Sequence, residues 1–219
     1  MRLAEIKDEI PNILYSVLEK DIAELRPAQA KAVHAGLLRG KNLLVCTPTA
    51  SGKTLVAELA GVKNILEGKG KLVYIVPLRA LASEKYNDFS TRYRDVCSVA
   101  LSSGDIDSDD SYLADYDIII TTSEKLDSLL RHHTPWITQV GTIIVDEVHL
   151  INDSRRGPTL EVVITLLRQI VKAQVIALSA TVGNAQELAT WLDAELVEDD
   201  WRPVELRKGV YFDGKTIFY

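Results

Sequence analysis

The sequence predicts an α/β fold in which a mostly parallel β-sheet is covered by helices on both faces. Near-continuous Val/Ile/Leu runs recur at 71–76, 117–121, 142–145 and 175–178, and a stretch with helical periodicity follows each. Strands that are apolar along their whole length are buried on both faces, and parallel strands need helical crossovers. Because ligands of such sheets bind beyond the carboxyl ends of the strands, the residues that directly follow each run are the functional candidates.

Length and composition indicate a globular chain with a sizeable core. The chain has 219 residues, of which 47% are hydrophobic and 26% charged, and no apolar run approaches the roughly 18 residues of a membrane span. The first eight residues mix charged and apolar side chains, which is not the pattern of a signal peptide. The net charge of −6 is not that of a typical nucleic-acid binder. Any nucleic-acid site must therefore be local and use backbone and helix-end contacts.

Cysteine usage points to a reducing compartment. Cys46 and Cys97 are 51 positions apart and neither belongs to a CxxC pair. Free thiols are the expected state, and a cysteine-based metal site is not expected.

The remaining elements follow from periodicity and from helix start and stop signals. Apolar spacing predicts a first helix over 10–22, and Pro27 suits the first turn of a second helix that covers 28–38. The acidic residues at 102–111 are predicted to form a surface loop. The other predicted elements are, in chain order, strand 42–46, helix 54–66, helix 79–93, strand 96–101, helix 124–131 capped by Ser123, helix 158–171, helix 184–192 and a strand-like tail to Tyr219.

The segment TPTASGKT at 47–54 lies between a predicted strand and a predicted helix, which is the context of a phosphate-binding loop. Backbone N–H groups at a helix N-terminus converge on an anion, and the helix dipole favours that anion. Gly52 lets the backbone approach closely, Lys53 supplies a charge for the β- and γ-phosphates, and Thr54 offers a hydroxyl to Mg²⁺. The strict pattern begins with Gly where this chain has Thr47. The alternative is an ordinary helix N-cap followed by an exposed lysine.

Two further polar clusters follow buried strands. Asp146 and Glu147 end the run at 142–145, which we expect to lie beside the strand before the phosphate loop. There Asp146 would hold Mg²⁺, through water, and Glu147 would orient or deprotonate the attacking water. The alternative is a solvated acidic pair. Ser179, Ala180 and Thr181 end the run at 175–178. Small hydroxyl residues can relay hydrogen bonds, but by themselves they are common at strand ends.

Together these segments resemble the motifs of superfamily-two helicases. The similarity rests on motif I at 49–54, the DExH box Asp146-Glu147-Val148-His149 and the SAT motif Ser179-Ala180-Thr181. Further segments resemble the Q-motif at 25–29, motif Ia at 77–85, a turn at 103–105 and motif Ib at 121–125. Residues 156–161 and 200–203 resemble the Ski-two-like branch, and the closest likeness is to the archaeal Holliday-junction-migration type of DNA repair helicase. The similarity runs from about residue 20 to about residue 210.

The resemblance implies a RecA-like P-loop NTPase domain and roles for particular residues. ATP would be bound by Gln29, which reads the adenine edge, together with Pro48, Thr49, Ala50, Ser51, Gly52, Lys53 and Thr54. Lys53, Asp146 and Glu147 would be catalytic, with Thr54 and Asp146 on Mg²⁺. His149, Ser179, Ala180 and Thr181 would couple the nucleotide site to the nucleic-acid site. The phosphates of one nucleic-acid strand would be held by Arg79, Gly104, Thr121, Thr122 and Ser123. Because Thr122 and Ser123 precede a helix, such an anion site needs no net positive charge.

The resemblance also implies a domain organisation and partners. Residues 1–24 are expected to form a helical lead-in, 25–200 the first RecA-like ATP-binding domain, and 201–219 the start of a connection to a second RecA-like domain. No segment of the chain resembles the Gln-x-x-Gly-Arg-x-Gly-Arg motif that a second motor domain carries. The expected partner is single-stranded or forked DNA, with 3′-to-5′ translocation, in a monomeric, cytoplasmic, nucleoid-associated protein without membrane contact. An RNA helicase of the same branch is the alternative substrate class.

Other enzyme and non-enzyme classes make different demands on the sequence. A P-loop GTPase should carry Asn-Lys-x-Asp and a transporter ATPase a Leu-Ser-Gly-Gly-Gln signature, and neither occurs in the chain. A non-catalytic binding module that keeps only the fold is a third class. The presence of Lys53, Thr54, Asp146 and Glu147 argues against that class.

Overall fold

A computed structural model describes residues 1–104, 110–204 and 207–218. It contains a seven-stranded sheet in the order β3-β4-β2-β5-β6-β1-β7, in which every neighbouring pair is parallel. The strands are β1 (Leu43–Cys46), β2 (Lys71–Val76), β3 (Val99–Ser102), β4 (Ile118–Thr122), β5 (Val140–Val145), β6 (Gln174–Ser179) and β7 (Glu195–Glu198). The predicted acidic loop lies largely outside the described residues, because 105–109 are not among them.

Among the residues that the structure describes, seven α-helices surround the sheet. They are α1 (Asn12–Leu18), α2 (Pro27–Ala35), α3 (Lys53–Leu66), α4 (Arg79–Tyr93), α5 (Ser123–Arg131), α6 (Gly157–Ile170) and α7 (Ala185–Leu192) within the described ranges. Short 3₁₀ helices cover Leu3–Glu9, Leu37–Arg39, Ser111–Asp115, Pro135–Gln139 and Val148–Asn152. None of the helices in the described ranges is both long enough and apolar enough to cross a bilayer.

The sheet separates two hydrophobic cores, which confirms that helices cover both faces. Alternate residues of each strand point to opposite faces. Val45 of β1 and Tyr74 of β2 therefore face a core built with α1 to α4, whereas Leu44 and Val73 face a core built with α5 to α7. Leu3, Ile6, Leu14 and Leu18 of the predicted N-terminal lead-in are buried in the first of these cores.

Local sequence signals explain where most helices and strands begin and end, including the boundaries that were predicted at the wrong residue. The helix predicted over 10–22 is present but shorter, as α1, because Pro11 separates it from the preceding 3₁₀ helix. The predicted strand over 96–101 begins later, at Val99. The cap of α5 is Thr122 instead of Ser123, since the Thr122 hydroxyl accepts a hydrogen bond from the Lys125 amide. The second helix ends at Ala35, because Gly36 adopts a left-handed conformation with φ of 111°.

Two features of the sheet were not predicted. Strand β7 was missed because exposed glutamates occupy both of its ends and only Leu196 and Val197 are apolar, unlike the longer apolar runs of the central strands. Strand β5 is not beside β1, because β6 lies between them. The residues after β6 are therefore placed between the phosphate loop and the acidic pair.

The tail after the seventh strand forms an antiparallel hairpin of β8 (Gly209–Phe212) and β9 (Lys215–Phe218). Every residue of this hairpin is exposed, including Tyr211, Phe212 and Phe218. A two-stranded hairpin is marginally stable in water by itself, so such a surface is of the kind that packs against another domain.

Candidate functional site

The loop between β1 and α3 presents the free N-terminus of a helix. Gly52 lies just before α3 with φ of 90°, and no side chain caps the helix there. A Cβ atom at this position would lie 2.5 Å from the side-chain nitrogen of Gln29, so the site favours glycine for space and for conformation. The Thr47 and Ser51 hydroxyls are 2.7 Å apart and brace the loop internally. Thr47 therefore has a structural use where the strict pattern has glycine.

Lys53 brings three strand ends together. Its Nζ donates to the Thr47 carbonyl at 3.0 Å, after β1, and to the Ser179 carbonyl at 2.9 Å, at the end of β6. Burial lowers the pKa of this ammonium, while the charges of Glu147 and Asp146, after β5, act in the opposite direction. The alternative interpretation, an exposed lysine after an ordinary helix N-cap, is excluded because the Lys53 side chain is held inside the site.

Asp146 is held in place by two hydrogen bonds. The Tyr74 hydroxyl donates to Oδ2 at 3.0 Å, and the Glu147 amide donates to Oδ1 at 3.0 Å. Tyr74 is fully buried in β2, and burial together with the neighbouring Asp146 charge raises its pKa well above the ordinary tyrosine value. Tyr74 therefore stays protonated and remains a donor to the carboxylate. The sequence analysis missed it, although a lone hydroxyl in a Val/Ile run is a signal that could have found it.

Glu147 begins a short chain of polar contacts that runs to the next strand. Its backbone has φ of 52°, which is uncommon for a residue with a side chain. Its Oε2 lies 3.3 Å from His149 Nδ1, and that nitrogen lies 3.5 Å from the Ser179 hydroxyl. The predicted coupling group thus has a physical path through Ser179. Ala180 is half-buried and Thr181 is exposed just beyond the strand.

Thr54, in the first turn of α3, faces a cleft of about 990 Å³ between the N-terminal segment and α3 and α4. Its hydroxyl accepts a hydrogen bond from Lys85 Nζ at 3.2 Å. No cluster of three or more His, Cys, Asp or Glu side chains that could hold a metal occurs in residues 1–104, 110–204 and 207–218. A hard cation at Thr54 and Asp146 would take the hydroxyl and carboxylate oxygens that Mg²⁺ prefers, and phosphate oxygens would complete its shell.

Gln29 ties the start of α2 to the phosphate loop. Its Oε1 accepts from the Arg26 amide at 2.8 Å, and its Nε2 donates to the Gly52 carbonyl at 2.9 Å. Arg26 donates to the Ala50 carbonyl at 2.7 Å and lies over the Trp201 ring at 5.6 Å. Sequence reasoning missed Arg26, which braces the loop beside the predicted adenine-reading glutamine.

Replacing Gln29 with alanine is expected to lower the free energy of unfolding by about 1–3 kcal/mol, because the buried Gln29 side chain no longer donates to the half-buried Gly52 carbonyl or accepts from the Arg26 amide. Urea denaturation followed by circular dichroism measures this. The exposed glutamine Gln186, on α7, gives a matched control whose change to alanine should have little effect. Equal effects of the two substitutions would contradict the bracing role of Gln29.

The predicted nucleic-acid residues lie at the ends of β2, β3 and β4. A cleft of about 230 Å³ is lined by Arg79, Gly104 and Thr122, and Arg156 also lines it. The Arg79 guanidinium donates to the Gly104 carbonyl at 3.3 Å. Three of the five predicted residues therefore share one cleft.

The other two predicted nucleic-acid residues do not line this cleft, and Thr122, which does, is itself buried. Thr121 is fully buried and its hydroxyl donates to the Thr122 carbonyl, while the Ser123 hydroxyl donates to Glu124. Of the five, Thr121, Thr122 and Ser123 are thus buried, and Arg79 and Gly104 are exposed.

Comparison with known proteins yields consistent matches. A family model described as DEAD/DEAH box helicase matches residues 26–188. A Pyrococcus abyssi protein named ATP-dependent DNA helicase Hel308 is 53% identical over 209 residues, which cover 95% of this chain and 28% of that protein. The protein of the same name from Thermococcus kodakarensis is 54% identical over 214 residues, covering 96% of this chain and 19% of that protein. The chain thus spans less than a third of the length of these curated relatives.

Solved structures share the fold. The helicase Lhr of Mycobacterium smegmatis, in a structure bound to single-stranded DNA and AMP-PNP, aligns with a TM-score of 0.77 and 30% identity over 88% of this chain and 28% of Lhr. The DUF1998 helicase MrfA, bound to DNA and AMPPNP, aligns with a TM-score of 0.75 and 25% identity over 88% of this chain and 30% of MrfA.

Proposed function

Since the chain belongs to the DEAD/DEAH box helicase family, we propose that it is the nucleotide-binding motor domain of an ATP-dependent DNA helicase. The observation that carries the proposal is the position of Lys53, which contacts the end of β6 and interacts with the acidic pair after β5. A phosphate-binding lysine beside two carboxylates at the carboxyl edge of a parallel sheet is the arrangement that phosphoryl transfer requires.

In this proposal each site residue has one task. The N–H groups at the start of α3 and Lys53 bind the phosphates. Thr54 and Asp146 hold Mg²⁺, which would neutralise the charge that develops on the phosphates. Glu147 orients or deprotonates the attacking water. His149 and Ser179 connect Glu147 to β6, next to the phosphate loop. The 3.0 Å bond from Tyr74 keeps Asp146 oriented.

We place the nucleic acid across the other strand ends, at the cleft that contains Arg79, Gly104 and Thr122. The relatives are named DNA helicases and the Lhr structure contains single-stranded DNA, which favours DNA over RNA. Phosphates are held by one arginine and by backbone groups at the α5 N-terminus, which is compatible with a net charge of −6. A monomer that works 3′-to-5′ on forked DNA in the cytoplasm, at the nucleoid, is part of the same proposal.

We further propose that 1–24 is a lead-in to the motor domain at 25–200 and that 201–219 begins the connection to a second motor domain. The exposed apolar hairpin of β8 and β9 supports this, because it offers a surface for such a domain to cover. The length of the relatives supports it as well, since they are more than three times as long as this chain.

A direct test compares nucleotide binding with turnover. Residues 1–219 are expected to bind a fluorescent ATP analogue but to hydrolyse ATP about 10³-fold more slowly than the full-length helicase with single-stranded DNA, because the second domain's arginines are missing. Titration of the analogue and a steady-state phosphate-release assay provide the two measurements.

Two outcomes would count against the proposal. Absence of nucleotide binding would remove the motor-domain assignment. Robust hydrolysis stimulated by single-stranded DNA in residues 1–219 alone would show that the site is complete without a second domain.

A further inference from the structure

Helix α4 contacts the proposed Mg²⁺ ligand Thr54. Lys85, in the middle of α4, donates from Nζ to the Thr54 hydroxyl at 3.2 Å. That hydroxyl oxygen is the atom that a P-loop threonine or serine offers to the metal. An ammonium group and a divalent cation repel each other, so the Lys85 contact and the metal compete for the same oxygen.

The same helix supports the second proposed ligand. Phe89 of α4 packs edge-on against Tyr74, with ring centroids 5.6 Å apart, and the Tyr74 hydroxyl donates to Asp146. Both oxygen ligands are therefore connected to α4, one through Lys85 and one through the aromatic contact.

A second acceptor for Lys85 lies one turn along α3. Glu58 is four residues after Thr54, so both side chains lie on the same face of that helix. It is 5% exposed and accepts hydrogen bonds from Arg92 at 2.6 Å and Tyr93 at 2.7 Å, both from α4. Burial raises the pKa of Glu58, and the Lys85 charge is among the groups that oppose this. The Glu58 carboxyl group is thus a second acceptor on the same face of α3, close enough for the Lys85 charge to affect its pKa.

The N-terminus of α4 is at the proposed nucleic-acid cleft. Arg79 is the first residue of the helix and lines that cleft. It precedes Lys85 by six residues, which corresponds to about 9 Å along a helix. One rigid element therefore contacts both proposed binding sites.

We propose that Lys85 is a positioning residue that holds the Thr54 hydroxyl until Mg²⁺-nucleotide binds and then transfers its contact to Glu58. Because Lys85 and Arg79 are on one helix, nucleic acid bound at Arg79 is expected to act on the Lys85 contact through α4 and to favour the release of Thr54 to the metal. This inference rests on the proposed function, since it assigns a role at the same nucleotide site.

The test measures the Mg²⁺ concentration that gives half-maximal binding of a fluorescent ATP analogue to residues 1–219. Changing Lys85 to methionine is expected to lower this concentration about fivefold, because one competing charge is removed at close range. Lys85→Arg keeps the charge and should stay near the wild-type value. Glu58→Gln removes the alternative acceptor and should raise the concentration about twofold, in the opposite direction.

A matched control separates this role from general loss of charge or of structure. Lys20 lines the same cleft from the N-terminal segment, and Lys20→Met is expected to leave the Mg²⁺ dependence unchanged. A purely structural role of Lys85 would weaken binding equally with Mg²⁺ and with EDTA. Equal weakening in both, or an unchanged Mg²⁺ requirement in Lys85→Met, would overturn the inference.

The second part of the test repeats the Mg²⁺ titration in the presence of a single-stranded oligonucleotide. It should lower the Mg²⁺ requirement of the wild-type chain and have little further effect on Lys85→Met. An equal effect on both proteins would refute the link through α4. If the wild-type chain binds no nucleotide at all, the proposed function fails instead, and that result is distinguishable from all of these.

Discussion

Replacing Lys53 with alanine is expected to weaken nucleotide binding about 100-fold, because the phosphates lose charge-assisted hydrogen bonds. The loss is large because Lys53 is the cation that the structure places at the ends of β1 and β6, with Asp146 and Glu147 close enough to affect its pKa. Without that ammonium, the two carboxylates repel incoming phosphates more strongly. Titration with a fluorescent ATP analogue measures the effect.

A lysine outside the site serves as control for Lys53. Lys69 lies beyond the C-terminus of α3 and pairs with Glu67 on the surface. Its replacement by alanine should leave the affinity unchanged, and thermal melting should show that both variants are folded. Unaltered affinity in folded Lys53→Ala would favour a binding module that retains only the fold.

The second large effect is expected for Glu147→Gln in a protein that carries both motor domains. ATP binding should persist, since the amide keeps the shape of the side chain, while hydrolysis should fall by about 10²–10⁴-fold because the amide cannot accept a proton. Phosphate release under single-turnover conditions, together with analogue binding, separates the two steps.

Glu187→Gln, an exposed change of the same type on α7, should leave hydrolysis intact. Near-normal hydrolysis by Glu147→Gln would remove Glu147 from the catalytic role and direct attention to its neighbours Asp146 and His149.

The fold class was predictable because buried parallel strands are apolar along their whole length. The run at 71–76 was located correctly for this reason, and the helix that follows it at 79–93 was located correctly as well. Strand β7 was not found, since glutamates occupy both of its ends and leave an apolar run of only two residues, Leu196 and Val197. The order of the strands could not be deduced either. That β6 separates β5 from β1 depends on crossovers between residues far apart in the chain.

Candidate site residues could be predicted where a single short segment contains the whole motif. The loop at 47–54 and the pair Asp146 and Glu147 could be proposed as site residues because their residue types and spacing lie within single short segments. Tyr74 and Arg26 were missed because their roles exist only through contacts with residues 72 and 24 positions away. The cap of α5 was assigned one residue too late, since Thr122 and Ser123 are equally suited to that position by residue type.

The left-handed backbone at Glu147 implies a trade-off between stability and activity at a single position. Its φ of 52° costs the folded state on the order of 1 kcal/mol. Glycine and asparagine adopt this conformation more readily, but neither has a carboxylate, and the side chain of aspartate is shorter. Selection for a more stable fold and selection for faster ATP hydrolysis would therefore favour different residues at this position. Under the proposed role of Glu147, a glutamate at this position gives up stability of the fold for hydrolysis.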